Sequence, residues 1–385
     1  MRNPEKTKRE NHAFVSFYAE NRISPVAQDL SDLRRHFQRR ESLFRSLGIL
    51  PLIVKGASVI EFGPGSGHNA LYTASLKPAT YTLVEGNPIG VQQTREMLAR
   101  HQCEGCRVVH SMFLDYATAE RFDIVWAEGC IPHQAQPLSI LDHLSQFTKP
   151  SGLFVCTTSN AVSYLSETIR RLVLDAALPA GYDSLEQGLR MLRPLLSSHL
   201  LHLKGMSRSI DDWIVDSILQ PLQDRALMSI PNVIAALHHD YDVYASCPRF
   251  IADWRWYKEI IGENRGFNEI ALAAYYRNNL NLMDYRFVFK EHAESFGREL
   301  ESRCADSWDV MCKIQSGDTA KWQEMFDLLR DIAALIESVA PETAMAIREA
   351  SQWLQDGAPA TRTLNRFPQW WGRGQQYLGM IRKPP

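Results

Sequence analysis

Long apolar runs are missing from this sequence. No segment approaches the roughly twenty uninterrupted apolar residues that span a bilayer. The charged opening Met1-Arg2-Asn3-Pro4-Glu5-Lys6-Thr7-Lys8-Arg9 has no apolar stretch of signal-peptide length behind it. Neither a membrane partner nor export is expected, and the chain reads as cytoplasmic. Cysteine is sparse and odd in number, with seven in 385 residues, which fits a reducing compartment better than a disulfide framework. Cys103-Glu104-Gly105-Cys106 has metal-ligand spacing but lacks a second pair or a nearby histidine couple, so no metal site is expected. Net charge is nearly absent, at −2. A chain without a global positive field is a poor candidate for phosphate backbones, and nucleic acid is not expected as a partner. Internal repeats and low-complexity linkers are absent as well.

What is present is an ordinary globular mixture, 45% hydrophobic and 22% charged, on a chain long enough for a main domain with sizeable additions. From about Phe14 to Leu47, apolar residues such as Leu30, Leu33, Phe37, Leu43, Phe44 and Leu47 recur three or four apart, predicting a helix that Gly48 ends. Arg34, Arg35, Arg39 and Arg40 are placed on its solvated side. Between Ala57 and Thr158 short apolar strands alternate with helical stretches, the βαβ rhythm of a parallel sheet covered on both faces. The strands fall at Ser58–Phe62, Thr80–Glu85, Arg107–His110, Asp123–Ala127 and Leu153–Thr157, with helices starting near Gly67, Pro88 and Leu138. Residues 161–229 read as a helical insertion after the fifth strand and a candidate lid. A helix and a sixth strand, Asp242–Ser246, follow, and then a helical C-terminal third. The expected boundaries are 1–50, 51–160, 161–229, 230–250 and 251–385.

The strongest local signal is Val59-Ile60-Glu61-Phe62-Gly63-Pro64-Gly65-Ser66-Gly67, a strand running into a glycine turn that opens a helix. Gly63 and Gly65 let backbone approach a ligand, and Gly67 permits close packing where the helix begins. The third glycine of the dinucleotide fingerprint would fall at His68, and the Gly-Lys-Ser/Thr ending of a phosphate-binding loop is missing. Eighteen positions after Gly67, the strand Tyr81-Thr82-Leu83-Val84 ends in Glu85. That spacing suits a carboxylate on ribose hydroxyls.

With those residues in place, Glu61-Phe62-Gly63-Pro64-Gly65-Ser66-Gly67 resembles the first motif of class I methyltransferases that use S-adenosylmethionine. The resemblance implies a doubly wound, seven-stranded, Rossmann-like α/β sheet, here with an N-terminal helical segment, the insertion after strand 5 and a helical C-terminal extension. It implies that Glu61, Gly63, Gly65 and Gly67 surround the methionine part of the cofactor and that Glu85 holds its ribose. Many relatives place an aspartate on the adenine amino group where this chain has Met112. The expectation here is instead an apolar adenine slot of Met112 and Phe113, with core packing as the alternative.

After the fourth strand comes Glu128-Gly129-Cys130-Ile131-Pro132-His133-Gln134, at the sheet edge where open α/β folds bind ligands. The Asn- or Asp-Pro-Pro-aromatic sequence of exocyclic-amine methyltransferases is not there. Glu128 and His133 are the local candidates for handling an acceptor's proton, with Glu128 also a candidate for shaping the cofactor pocket. Tyr18 and Asn21 are candidates to fold over the cofactor. Asp211-Asp212-Trp213 and Asp253-Trp254-Arg255-Trp256-Tyr257-Lys258 have a composition suited to a polar ring such as a sugar, or to ordinary packing. The expected reaction is methyl transfer to oxygen, or secondarily nitrogen, of a small or carbohydrate-like acceptor. An inactive cofactor-binding scaffold is the alternative, and a homodimer stays open.

Overall fold

The computed structural model describes residue 17 and residues 30–132, 134, 136–206, 209–220 and 227–384. They form two compact units. The first comprises Met1–Ser159, Pro221–Ala274 and Gln375–Pro385, and the second Asn160–Gln220 and Tyr275–Gly374.

The first unit is built on one seven-stranded sheet in the order β3-β2-β1-β4-β5-β7-β6. Its strands are β1 (Ser58–Phe62), β2 (Thr80–Glu85), β3 (Cys106–His110), β4 (Phe122–Ala127), β5 (Thr148–Thr158), β6 (Tyr241–Cys247) and β7 (Gln376–Arg382). β1 to β5 pair in parallel, for example Ile60 with Thr82 and Val125 with Phe154. β7 runs antiparallel to both β5 and β6. The helices are α1 (Leu33–Ser46), α2 (Pro51–Val54), α3 (Ala70–Ser75), α4 (Pro88–Arg100), α5 (Pro137–Ser145), α9 (Ile230–Leu237) and the start of α10 (Asn268–Asn278). β1 and β2 are buried along nearly their whole length, polar residues included, because helices cover both faces and leave no solvent side.

One core gathers Phe44, Leu47 and Ile49 from the end of α1 with Tyr72, Tyr81, Leu83 and Trp126. Phe44 stacks on Trp126 at 5.0 Å between ring centroids and meets Tyr72 edge-on at the same separation. Chain order reverses between β1 and β4, so connections leave the sheet in opposite directions there and open a crevice at their carboxyl ends.

The second unit is helical, with α6 (Ala161–Ala177), α7 (Leu185–Leu200), α8 (Ile210–Ile214), α11 (Leu280–Met283), α12 (Glu294–Gln315), α13 (Trp322–Ile336) and α14 (Pro341–Gln355). α6 begins at Asn160, whose Oδ1 accepts from the Val162 and Ser163 amides. Arg170 is fully buried in this unit, its guanidinium 3.6 Å from the Trp371 ring centre and its N–H groups donating to the Ser166, Phe367 and Trp370 carbonyls and to His199 Nδ1. Those bonds tie the chain around Trp370 and Trp371 to α6. Trp213 is also core, and Asp211 pairs with Arg193 on the surface, so that candidate sugar-gripping segment packs as ordinary helix.

Two sequence expectations need correction. The C-terminal third is not helical to its end, because Gln376–Arg382 enters the sheet as β7 between β5 and β6. Its partners lie far away in sequence, and no local periodicity carries that pairing. The helix expected near Gly67 starts instead at Ala70, since residues 63–69 are spent on the turn.

β6 is the sheet's outer edge, and Asn268 covers it. The Asn268 side chain accepts from the Val243 amide at 2.9 Å and donates to the Tyr241 carbonyl at 3.0 Å, as a neighbouring strand would. Asn268→Ala should lower unfolding free energy by about 1–2 kcal/mol through two unpaired backbone groups, read as a lower urea midpoint at unchanged slope.

Candidate functional site

The crevice is shaped first by backbone. Gly63, Gly65 and Gly67 all adopt positive φ, at 71°, 57° and 79°, a region costly for residues with a Cβ. At Gly63 there is also no room, because an added Cβ would lie 2.5 Å from Cys130 Cβ. At Gly67 it would lie 3.0 Å from the Thr94 backbone of α4, whose hydroxyl donates to the Gly65 carbonyl at 2.9 Å.

Glu85, at the end of β2, is buried and holds the turn. Its Oε2 accepts from the Gly65 amide at 2.9 Å and its Oε1 from the Asn87 amide at 2.8 Å. Burial pushes its carboxyl above the ordinary value, against the pull of those amides. Each oxygen still has a lone pair to offer. Met112 and Phe113 stand at the same bend. A Cβ on Gly86 would come within 2.8 Å of Met112 Sδ, one on Gly63 would come within 3.3 Å of Phe113 Cζ, and the Phe113 ring meets Phe62 edge-on.

Glu61 is buried beneath the turn and accepts from the Tyr81 hydroxyl. Burial raises its pKa to about 7, with the Glu128 and Glu85 charges acting in the same direction against the Tyr81 bond and Arg40. Glu128, just past β4, has the opposite balance. Arg40 from α1 meets it in a two-pronged ion pair, with both N–H···O distances 2.8 Å. Asn69, Trp126 Nε1 and the Tyr377 hydroxyl donate to the same carboxylate at 3.2, 2.9 and 2.6 Å. Burial alone would push Glu128 up, but Arg40 and these donors outweigh it and hold the carboxyl below its ordinary value. A carboxylate accepting five bonds and held low is a poor proton acceptor. The arrangement makes Glu128 an anchor.

Arg40 corrects the sequence reading most directly. It is 6% exposed rather than on the solvated face, and its guanidinium lies 5.6 Å from the Trp126 ring centre. A signal for this exists in the sequence, since Arg40 is three residues from Phe37 and four from Phe44, squarely on the apolar stripe. Its Nε is buried and has no hydrogen-bond partner among the described residues. His36, one turn earlier, faces the His68 carbonyl at 3.1 Å, and burial lowers both imidazoles. Tyr377 was missed for a different reason, since it belongs to β7. His133, Tyr18 and Asn21 lie outside the described residues. Cys103 and Cys106 are free thiols, and no metal-holding group of side chains occurs among the described residues.

Comparisons with known proteins agree with this geometry at the level of the domain. Residues 33–196 match a family model described as a methyltransferase domain. None of the curated proteins matches the chain. Among solved structures, an S-adenosylmethionine-dependent methyltransferase from Aquifex aeolicus is 15% identical over 32% of this chain and 64% of its own, with a TM-score of 0.29. PKMT2 from Rickettsia typhi is 14% identical over 53% and 42%, with a TM-score of 0.40. A sarcosine dimethylglycine methyltransferase candidate from Galdieria sulphuraria is 11% identical over 91% and 85%, with a TM-score of 0.37. The matched region thus spans less than two thirds of the first two of these proteins.

Arg40→Met should cost about 3 kcal/mol by leaving the largely buried Glu128 without its cation, and adding Glu128→Gln should recover much of it in urea titrations. Glu61 has a raised pKa in the folded state, so its contribution to stability is present below about 4.5 and is lost as pH rises through about 7. Glu61→Gln should therefore gain on the wild type across that interval, and parallel stability curves from pH 4 to 8 would contradict the assignment.

Proposed function

We propose, from the match of residues 33–196 to a methyltransferase-domain model and the glycine turn that resembles a class I S-adenosylmethionine site, that this protein transfers a methyl group to an oxygen, or less favourably a nitrogen, of a small or carbohydrate-like acceptor. The observation that carries the reading is the positive-φ glycine bend at residues 63–67, with Glu85 bonded to its Gly65 amide.

The residues present fit the cofactor. Gly63, Gly65 and Gly67 keep side chains out of the bend, and Glu85 retains lone pairs that would accept from a ribose diol. Arg40 Nε is a donor suited to a carboxylate, and its two other nitrogens are already fixed by Glu128. Met112 and Phe113 would flank an adenine ring. When bound, the cofactor supplies a methyl group already activated by a sulfonium leaving group.

The protein's task is then mostly orientation, which is rated at roughly 7–11 kcal/mol where alignment is good. Glu128 serves by fixing Arg40, Asn69, Trp126 and Tyr377 around the crevice rather than by moving a proton. Of the two candidate proton acceptors, that leaves His133, needed only for an acceptor that must lose a proton. Acceptor choice is assigned to the helical segments added to the sheet, and a near-neutral chain disfavours nucleic acid as that acceptor. No helix among the described residues is long and apolar enough to cross a membrane.

Calorimetry with S-adenosylmethionine and its demethylated product tests the cofactor assignment. The wild type should bind both, while Gly65→Arg and Glu85→Ala should show no measurable heat. Incubation with methyl-labelled cofactor and metabolite extracts should give a labelled small molecule. Binding without product across many extracts would favour a scaffold over an enzyme.

A further inference from the structure

Far from the glycine bend, a cavity of about 770 Å³ lies at the other end of the sheet. β6 is parallel to β1, because both β5 and β6 run against β7, so the first residues of β6 stand at the opposite end from the crevice. Asp242, Val243 and Tyr244 form one wall, Ile381, Lys383 and Pro384 a second, and the turn Gly262–Phe267 a third. The volume falls within the range of small-molecule sites. The protein's mechanism uses none of it.

The wall chemistry is mixed in a specific way. Val243, Tyr244, Phe267, Ile381 and Pro384 supply an apolar surface. Of the four charged residues, two are already committed. Asp242 accepts from the Phe267 and Asn268 amides, and Lys383 Nζ donates to the His238 and His239 carbonyls. Arg265 and Glu263, two residues apart on one short turn, make no ion pair or side-chain hydrogen bond among the described residues. One free cation and one free anion beside an apolar wall complement a ligand that carries both charges on one carbon and a hydrophobic group beyond it.

We propose that this cavity binds a zwitterionic α-amino acid with an aromatic or branched aliphatic side chain, its carboxylate toward Arg265 and its ammonium toward Glu263. The site is independent of the methyl-transfer reading, which concerns the other end of the sheet. Charge-assisted pairs to both groups explain why either half alone would be a weak ligand.

The test is calorimetry on the full chain with L-phenylalanine and L-leucine, beside 3-phenylpropanoate, which lacks the ammonium, and phenethylamine, which lacks the carboxylate. Both amino acids should bind, and each half-analogue should bind about tenfold more weakly or worse. Arg265→Ala and Glu263→Ala should each weaken L-phenylalanine by about tenfold. Gly266 has ordinary extended backbone, φ −70° and ψ 147°, and an added Cβ there meets nothing within 4 Å, so Gly266→Trp adds bulk to the cavity wall without backbone strain. That variant should abolish binding. Melting temperature should stay unchanged in all three variants, which separates loss of the site from loss of the fold. Absence of heat with either amino acid at millimolar concentration, or equal binding of the half-analogues, overturns the proposal.

Discussion

The Arg40–Glu128 pair ties together four parts of the first unit that the sequence keeps far apart. Arg40 brings the first described helix, Asn69 the end of the glycine turn, Glu128 and Trp126 the fourth strand, and Tyr377 the last strand. Two buried charges are costly to remove from water, and the arrangement persists only because nearly every hydrogen-bonding position on the carboxylate is filled. The guanidinium is further supported by the faces of Trp126 and Phe44. Any ligand that enters the crevice meets groups already fixed in place, which is the condition under which orientation accelerates a reaction.

Three carboxylates, Glu61 and Glu85 buried and Glu128 largely so, are kept in different states by their neighbours. Glu128, facing Arg40, is held in the charged form. Glu61, buried and accepting from the Tyr81 phenol, is raised to about 7. Glu85 is raised by burial against the pull of the backbone amides it accepts from. The contrast follows from which partner each strand end meets, a cation for β4, a hydroxyl for β1 and backbone N–H groups for β2.

Much of this was legible in the chain itself. The glycine turn announces itself through three alternating glycines after a strand, at positions where the backbone takes positive φ. The first six strands follow from short apolar runs separated by turn residues, and Glu85 from its distance to Gly67. Arg40 was legible in principle, since it shares the spacing of Phe37, Phe44 and Leu47, but a charge on an apolar stripe says nothing of its partner. For Glu128 the sequence left two readings open, a proton carrier and a residue that shapes the pocket, and its donors were not legible. An acid at a strand end reads as a proton carrier until its donors are counted, and those donors come from residues 40, 69, 126 and 377.

Local patterns thus determined the bend and the parallel core, because each depends on residues within one strand–turn–helix unit. Tertiary structure alone decided the rest. β7 joins the sheet through pairing with strands more than a hundred residues away. The protonation of Glu61 and Glu128 depends on burial and on distant partners, and so does the cavity beside β6. Long-range pairing and desolvation are properties of the packed chain, and no window of neighbouring residues contains them.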